Sequence, residues 1–208
     1  VQIRAMTAKE EDILTSKALI KKGTVITELI KSCLIDKRID PNDMILGDRN
    51  AIMVSLRITG YGADYNIEVG CPSCGERSKQ AFDLSALPIT RLAVEPIATG
   101  SNVFELEMPK VKETDPTLVI RYRHMDGHDE QHLTAIQERK KKQGFKTDNL
   151  ITTRYQQQIV AINDIADKTK IQMFIQRMPT RYSLALRKGM DANEPGVSMK
   201  QHISCPHC

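Results

Sequence analysis

The sequence predicts a helix-rich α+β fold that carries a small β module of the zinc-ribbon type. Two observations support this prediction. Several long segments have apolar residues at helical spacing, and two Cys-x-x-Cys pairs, beginning at Cys71 and Cys205, lie far apart in the chain. The 208 residues are 40% hydrophobic and 27% charged, close to ordinary globular usage, so the chain should bury a core. The predicted architecture has helical segments before and between two distant cysteine knuckles.

The N-terminal segment, residues 1–62, is predicted to contain a short strand followed by helices. Residues 1–6 alternate weakly, as a strand does. Thr7 and Glu10 have the spacing of a capping box, which predicts that one amphipathic helix begins here and ends at Gly23. A second helix is expected over residues 24–36.

Two further features of this segment allow an interpretation. Cys33 falls on the apolar stripe of the second helix, so we interpret it as a small buried hydrophobe; a reactive thiol is the alternative. A third helix is expected from about Asp48 to Ile58, with Asp48 as its N-cap and Asn50 in its first turn.

The β region is predicted over residues 63–124. Tyr65–Val69 alternates like a strand and leads into the first cysteine pair, and Lys79–Asp83 can return antiparallel. Strand, cysteine knuckle and strand in this order are typical of zinc ribbons. Residues 103–108 and 117–124 are the other strand candidates.

A helical insertion is predicted over residues 125–192. Its helices are expected at residues 126–144, 147–164, 168–179 and 180–190. The helix at residues 147–164 is predicted from the helical spacing of four apolar residues, Ile151, Tyr155, Ile159 and Ile162. Residues 193–208 are expected to return as a strand before the second knuckle, so that 63–124 and 193–208 form one module.

The four paired cysteines predict a structural zinc site. Zn²⁺ prefers four ligands in a tetrahedron, and each Cys-x-x-Cys turn presents two thiolates. The predicted ligands are Cys71, Cys74, Cys205 and Cys208. Four cysteine ligands leave no open coordination position, which favours a structural over a catalytic role. His202 or His207 in place of one cysteine is the weaker alternative, and the ion is expected to hold the strand before Cys205 beside the hairpin of residues 65–83.

Three histidines resemble a catalytic motif without matching it. His124, His128 and His132 are four residues apart and would share one face of a helix. The zinc-protease motif requires Glu directly after its first His, but Asp129 stands there. A zinc hydrolase built on His128 and His132 is therefore a minor hypothesis, and an exposed helix face is the simpler interpretation.

Charge and hydropathy limit the possible partners. The net charge of +4 is low for a dedicated nucleic-acid binder, and with 4% aromatic residues base stacking is disfavoured. Residues 138–146 are rich in Lys and Arg, which suits a solvated helix end; a zinc-ribbon module that binds nucleic acid through Arg139 to Lys146 is the alternative function. No apolar run approaches the roughly 20 residues of a membrane span, and no signal peptide is evident, so we expect a soluble protein made in a cytoplasm.

Several segments resemble the baseplate protein family of T-even-type contractile-tailed bacteriophages. They are MTAKEED at 6–12, GDRNAIMVSLRITGYGADY at 47–65, CPSCG at 71–75, EPGV at 194–197 and CPHC at 205–208. Members of that family are described as baseplate hub subunits or hub assembly proteins. The similarity covers residues 4–208, and its most specific part is the segment around Asp48.

The resemblance implies a non-enzymatic role in building the tail baseplate, through contacts with other baseplate and tail proteins and in multiple copies. It implies a location in the virion tail baseplate, or in the host cytoplasm during tail assembly. The four cysteines match the family's knuckles, and Asp48, Arg49 and Asn50 match a segment that we regard as a possible interaction site. A leading β segment and a continuation after the second knuckle are expected from the family, so both ends are expected to extend further or to belong to a shorter variant.

Overall fold

A computed structural model describes residues 1–110, 112–144 and 149–208, which form a mixed structure of helices and small antiparallel sheets. The described helices are α1 (Ala8–Thr15), α2 (Lys17–Lys22), α3 (Val25–Cys33), α4 (Leu46–Tyr61), α5 (Gly127–Lys142), α6 (Leu150–Gln158), α7 (Lys168–Arg177) and α8 (Thr180–Asn193). The strands are β1 (Asp64–Gly70), β2 (Arg77–Asp83), β3 (Ile89–Thr90), β4 (Phe104–Glu107), β5 (Val119–Tyr122), β6 (Ile159–Ile162) and β7 (Gly196–Val197).

The chain divides into two compact units. Unit 1 contains residues 1–41, 47–90 and 196–208, and unit 2 contains residues 42–46 and the described part of 91–195. Unit 1 is therefore built from three separate pieces of the chain. The division at residues 62, 124 and 192 stays a prediction about domain organisation.

The N-terminal helices of unit 1 are arranged around a buried carboxylate. Glu10 in α1 closes the predicted capping box, because its Oε2 accepts a hydrogen bond from the Thr7 backbone N–H at 2.9 Å. The same side chain is fully buried and accepts hydrogen bonds from Arg4 at 2.6 Å and from Ser32 Oγ at 2.5 Å. These donors lower the pKa of Glu10 well below its ordinary value of 4.5, with Arg4 the largest cause. Glu10 thus connects α1 both to the preceding segment and to α3.

Two predictions for this part of the chain are wrong in detail. The single helix expected to end at Gly23 is split into α1 and α2, because Ser16 adopts an extended conformation and its Oγ caps the Leu19 N–H of α2. Residues 1–6 make an isolated bridge between Ile3 and Leu34 in place of a strand. Cys33 is completely buried, as predicted, and burial raises the pKa of its thiol.

The two small sheets of unit 1 are each two-stranded. β1 and β2 pair antiparallel from Asp64↔Asp83 to Gly70↔Arg77, so the predicted hairpin is confirmed with slightly longer strands. β3 pairs with β7, and Ser198 N–H extends this contact by donating to Pro88 O at 2.8 Å. The strand predicted before the second knuckle is present as β7, but it ends at Val197 and pairs with β3 in place of the hairpin of residues 65–83, and residues 198–204 belong to no strand. Polar residues dominate this stretch, so backbone pairing there would bury little apolar surface.

Unit 2 surrounds a three-stranded antiparallel sheet with the order β4-β5-β6. Helices α6, α7 and α8 cover it with apolar side chains. The core consists of Phe104, Met108, Ile120, Tyr122, Tyr155, Ile159, Ile162, Ile171, Ile175, Leu186 and Met190. Asn193 at the end of α8 is also buried; its Nδ2 donates to Tyr122 Oη at 3.0 Å, and its Oδ1 accepts from the Ala93 and Val94 N–H groups at 2.8 Å. Asn193 therefore fixes the segment after Arg91 to the sheet.

The helix predicted over residues 147–164 is wrong in its C-terminal part, and Thr147 and Asp148 lie outside the described residues. The helix α6 ends at Gln158, and Ile159–Ile162 forms β6, which pairs with β5. Three of these four residues are buried in the sheet. Isoleucine and valine favour strands, and their burial beside β5 outweighs the helical spacing that suggested one continuous helix.

Within the described residues, no helix is both long and apolar enough to cross a membrane.

The Glu10 cluster leads to a prediction about stability and pH. Glu10→Gln should lower the free energy of unfolding by about 2 kcal/mol, because hydrogen bonds from a charged partner are lost and a buried group is left poorly paired. Since the folded pKa of Glu10 is depressed, its stabilising effect is present above pH 4.5 and is lost as the pH falls through the folded pKa. Urea unfolding between pH 3 and pH 7 should therefore show a weaker acid dependence for the variant.

The control for this prediction is Asp36→Asn, whose partner Arg38 is 90% exposed and which should change stability little. Equal stability of Glu10→Gln and the unmodified protein at pH 7 would contradict the assigned role of the cluster.

Candidate metal centre

The first cysteine knuckle is the loop that joins β1 to β2. The strands end at Gly70 and Arg77, so residues 71–76 form the complete loop. Cys71 N–H donates to Glu76 O at 2.8 Å, and Gly75 N–H donates to Cys71 O at 2.9 Å. Gly75 has φ of 78°, a conformation that glycine adopts without steric cost. The Ser73 N–H points at Cys71 Sγ with a distance of 3.4 Å.

The second knuckle repeats one feature of the first. His207 N–H donates to Cys205 Sγ at 3.4 Å, as Ser73 does to Cys71. In both turns the amide two residues after the first cysteine therefore contacts that sulfur. Such amide contacts stabilise negative charge on sulfur and orient thiolate ligands. The spacing shared by the two Cys-Pro-x-Cys turns already contained the signal for these amide contacts, whereas His207 was considered only as an alternative ligand.

The four paired cysteines come together in unit 1. Their Sγ atoms all lie within 4.8 Å of one another. Cys71 Sγ is 3.8 Å from Cys208 Sγ, and Cys74 Sγ is 3.7 Å from Cys205 Sγ, so the first cysteine of each knuckle lies beside the second of the other. These separations are far above the roughly 2.05 Å of a disulfide bond. The four thiols are free.

The spacing of the sulfurs fits a tetrahedral metal ion. Four sulfurs at a Zn–S distance of about 2.3 Å from a common centre lie about 3.8 Å apart along each edge of the tetrahedron. Two of the six edges, at 3.7 and 3.8 Å, agree with this value, and every edge is at most 4.8 Å. The donor set therefore suits Zn²⁺ in both chemistry and size, whereas the identity of the ion stays a prediction.

The acidities of the thiols differ within the cluster. Backbone hydrogen bonds from Cys74 and Ser73 lower the pKa of Cys71 to about 6. Contacts with Cys205 and Cys74 sulfurs raise the pKa of Cys208 to about 11, because neighbouring thiolates repel a further negative charge. A positive ion among the four sulfurs would favour the fully deprotonated form. With four protein sulfurs as ligands, such an ion would have no position for water or substrate.

The segment of Asp48, Arg49 and Asn50 lies in the first turns of α4. Arg49 is only 3% exposed, and its guanidinium donates to Pro41 O at 2.8 Å and to Thr27 Oγ1 at 3.1 Å. Asp48 and Asn50 are exposed. Arg49 therefore packs inside unit 1, while a contact role for Asp48 and Asn50 stays a prediction. Asp48 is not the N-cap, because α4 already begins at Leu46 and Asn50 lies beyond its first turn.

Two family-like segments, GDRN and EPGV, meet at a pair of glycines. Gly196 in β7 has φ of 151°, and a Cβ atom on it would lie 3.1 Å from Gly47 Cα and 3.4 Å from Gly47 O. This close backbone contact joins the C-terminal piece of unit 1 to the start of α4. The two segments are 147 residues apart in the chain, from Gly47 to Glu194, and their spacing alone does not indicate this contact.

The histidines are not arranged as the hydrolase hypothesis requires. His124 follows β5 and is buried, so it does not share the exposed face of α5 with His128 and His132. His128 Nε2 lies 3.2 Å from Asp43 Oδ1, and both side chains are exposed. Among the described residues, no group of potential metal ligands contains both His128 and His132.

The described part of the basic segment forms the end of α5. Arg139, Lys140, Lys141 and Lys142 occupy its last turn, where positive charge interacts favourably with the helix dipole. Phe145 and Lys146, the last residues of the predicted basic patch, lie outside the described residues.

Comparisons with known proteins identify a family for the whole chain. A family model described as T4 bacteriophage base plate protein matches residues 1–208. No curated protein and no solved structure matches the chain. The family match confirms the resemblance to baseplate proteins of T4-like phages.

The glycine contact predicts a position that is sensitive to a single methyl group. Gly196→Ala should lower the free energy of unfolding by roughly 1 to 3 kcal/mol, because the new Cβ must occupy a strained backbone conformation and press on Gly47. Gly70→Ala is the matched control, since its Cβ would meet no atom within 4 Å. Chemical unfolding of both variants measures the difference; if Gly196→Ala is as stable as the control, the close contact is not a constraint.

Proposed function

This chain belongs to the T4 bacteriophage base plate protein family, and we propose that it is a structural or assembly protein in the hub region of a contractile tail baseplate. In this proposal the chain folds around a structural zinc ion and acts through contacts with other baseplate and tail proteins. It is present in multiple copies, in the virion tail or in the host cytoplasm during tail assembly. The proposal includes no catalytic activity.

One observation carries the structural part of the proposal. The sulfurs of two knuckles 131 residues apart lie at distances that fit the edges of a zinc tetrahedron. All four ligand positions would be supplied by the protein. A site of this kind contributes folding energy and rigidity, and it offers no coordination position for a reacting molecule.

The exposed parts of the knuckles support an interaction role. Pro72, Ser73, Pro206 and His207 are all exposed, although they adjoin the sulfur cluster. A metal ion would restrict these loops before any partner binds. Contacts made by restricted loops cost less conformational entropy on association than contacts made by flexible ones.

The metal proposal predicts one zinc per chain, bound by sulfur alone. Cys71→Ser should lower the zinc content of the purified protein from one ion per chain to near zero, because three thiolates form an incomplete tetrahedron. Elemental analysis measures the stoichiometry, and X-ray absorption at the zinc edge should show four sulfurs at about 2.3 Å.

Two variants control for general effects of the substitution. Cys33→Ala removes the fifth cysteine, which lies buried outside the cluster, and His207→Ala removes the nearest alternative ligand type. Both should retain one zinc per chain. A nitrogen ligand in the absorption spectrum, or unchanged zinc in Cys71→Ser, would contradict the four-sulfur site.

The assembly proposal predicts that the chain is needed to form complete baseplates. In a phage whose own copy of the gene is inactivated, complementation with the unmodified chain should restore infectious particles, and Cys205→Ser should restore at least tenfold fewer. His132→Ala, at an exposed position outside the cluster, should complement fully. Mass spectrometry of purified tails and of tail intermediates then shows where the chain resides; full complementation by an empty vector would exclude a role in assembly.

A further inference from the structure

The hairpin of β1 and β2 in unit 1 has two open edges. The two strands form a sheet of their own, and neither outer edge pairs with another described strand. Along β2, every second residue is exposed: Arg77, Lys79, Ala81 and Asp83. An open strand edge presents unpaired N–H and C=O groups on which a strand of another chain can pair.

The hydrogen bonds at the two ends of the hairpin define which backbone groups are open. Cys71 N–H donates to Glu76 O at 2.8 Å at one end, and Leu84 N–H donates to Ala63 O at 2.9 Å at the other. Hydrogen-bonded and non-hydrogen-bonded pairs alternate along an antiparallel ladder. The register between these two ends has no irregularity, so three residues of β2 direct their backbone groups away from β1: Arg77, Lys79 and Ala81.

Charge is not balanced at the ends of the hairpin. Lys79 lies directly opposite Glu68, but Arg77 lies opposite Gly70, and at the other end Asp64 lies opposite Asp83. Like charges directly opposite each other in a sheet are destabilising. Among the described residues, neither Arg77 nor the two aspartates form a salt bridge. One end of the hairpin therefore lacks an anion, and the other lacks a cation.

The sequence of β2 complements itself when two copies run antiparallel. With Gln80 opposite Gln80 on a two-fold axis, Arg77 of each copy lies opposite Asp83 of the other, so both unbalanced ends gain a partner. Lys79 then lies opposite Ala81, and these are residues whose backbone groups are open. A register centred on Lys79 would place two lysines together, and one centred on Ala81 would shorten the paired segment to residues 79–83.

The edge of β1 does not offer the same complementarity. β1 contains Asp64 and Glu68 but neither lysine nor arginine. Pairing of β1 with itself would bring four carboxylates together in any register, with no cation opposite them. The second copy is therefore expected at β2.

Pairing through β2 would also join two apolar surfaces. Directly opposite residues of an antiparallel pair project from the same face, so Tyr65 and Phe82 share one face with Ile67. Across the two-fold axis, this face of each hairpin would lie on the same side of a four-stranded sheet with the order β1-β2-β2-β1. Sheets of three or more strands with a hydrophobic face have a stability that a single hairpin lacks.

We propose that β2 pairs antiparallel with β2 of a second copy of this chain, around a two-fold axis at Gln80, with Arg77 of each copy bound to Asp83 of the other. The choice of a second copy rests on the proposed function, in which the chain is present in multiple copies. A contact between identical edges closes on itself, so it produces a dimer and not a filament.

Sedimentation equilibrium of the full chain measures this association. Because the paired edge is short, we expect a reversible dimer with a Kd on the order of 10 µM. Arg77→Glu should raise the Kd at least about tenfold, because two ion pairs are replaced by two repulsive pairs. Lys9→Glu is the control: it makes the same change of charge at an exposed position of α1 and should leave the Kd unchanged.

Charge exchange between the copies tests the register. Asp83→Lys should also weaken the homodimer. When this variant is mixed with Arg77→Glu, both ion-pair positions again combine opposite charges, so a heterodimer should form with nearly the affinity of the unmodified homodimer.

Two measurements keep this test independent of local effects at Asp83, whose Oδ1 accepts hydrogen bonds from the N–H and Oγ of Ser85. Asp83→Asn keeps an oxygen for these bonds and removes only the charge, so it should weaken the dimer less than Asp83→Lys. In a mixture of ¹³C-labelled and unlabelled unmodified chains, isotope-filtered NMR should show a contact between the Hα atoms of Gln80 in the two copies.

Four results would overturn the proposal. They are a chain that stays monomeric up to about 1 mM, equal dimerisation of Arg77→Glu and Lys9→Glu, the absence of the contact between the two Gln80 residues, and species that grow beyond the dimer. The last result would indicate open-ended pairing of β1 with β2. None of these measurements requires another phage component, so the pairing and the proposed function can fail separately.

Discussion

The return of the C-terminal residues to the four-sulfur cluster is the constraint on which unit 1 depends. The hairpin of β1 and β2 pairs with no other described strand, and an isolated two-stranded hairpin is only marginally stable in water. Holding the two knuckles together closes a loop of 131 residues, and a loop of about a hundred residues costs on the order of 4 to 5 kcal/mol of chain entropy. Structural zinc contributes roughly 10 to 16 kcal/mol in finger-like peptides, enough to outweigh that cost. The proposed ion would therefore decide whether the hairpin and the C-terminus stay together.

Two further contacts make this return specific. β7 pairs with β3, and Gly196 brings the backbone of β7 against Gly47 at the start of α4. The buried Arg49 then ties α4 to the carbonyl of Pro41 and to Thr27. These three contacts stabilise neighbouring parts of unit 1. Packing within unit 1 therefore accounts for the GDRN segment without reference to a partner. Its exposed neighbours Asp48 and Asn50 are the part that packing leaves unexplained.

The sequence predicted structure correctly where the structure depends on residues close together in the chain. The Thr7 and Glu10 capping box, the β1–β2 hairpin around the first knuckle and the burial of Cys33 all follow from residues close together in the chain. Sequence reasoning failed where distant residues decide. Ile159–Ile162 has a pattern compatible with either helix or strand, and only the presence of β5 selects the strand. The same applies to the second knuckle, which reaches the first through β7, Gly196 and the sulfurs, without a strand of its own.

The histidines show why residue type and spacing were insufficient for the site. His124, His128 and His132 look equivalent in the sequence, yet the end of β5 separates the first from the other two. Burial against Phe104 and Tyr122 removes His124 from metal chemistry on the α5 face. The cysteines behave in the opposite way, because distance in the sequence conceals a cluster whose sulfurs lie within 4.8 Å. In both cases the chemistry of a side chain follows from the number and kind of polar atoms that the fold places around it. For the cysteines these are other sulfurs, which suit a cation; for His124 they are few, because the ring packs between Phe104 and Tyr122 and burial lowers its pKa.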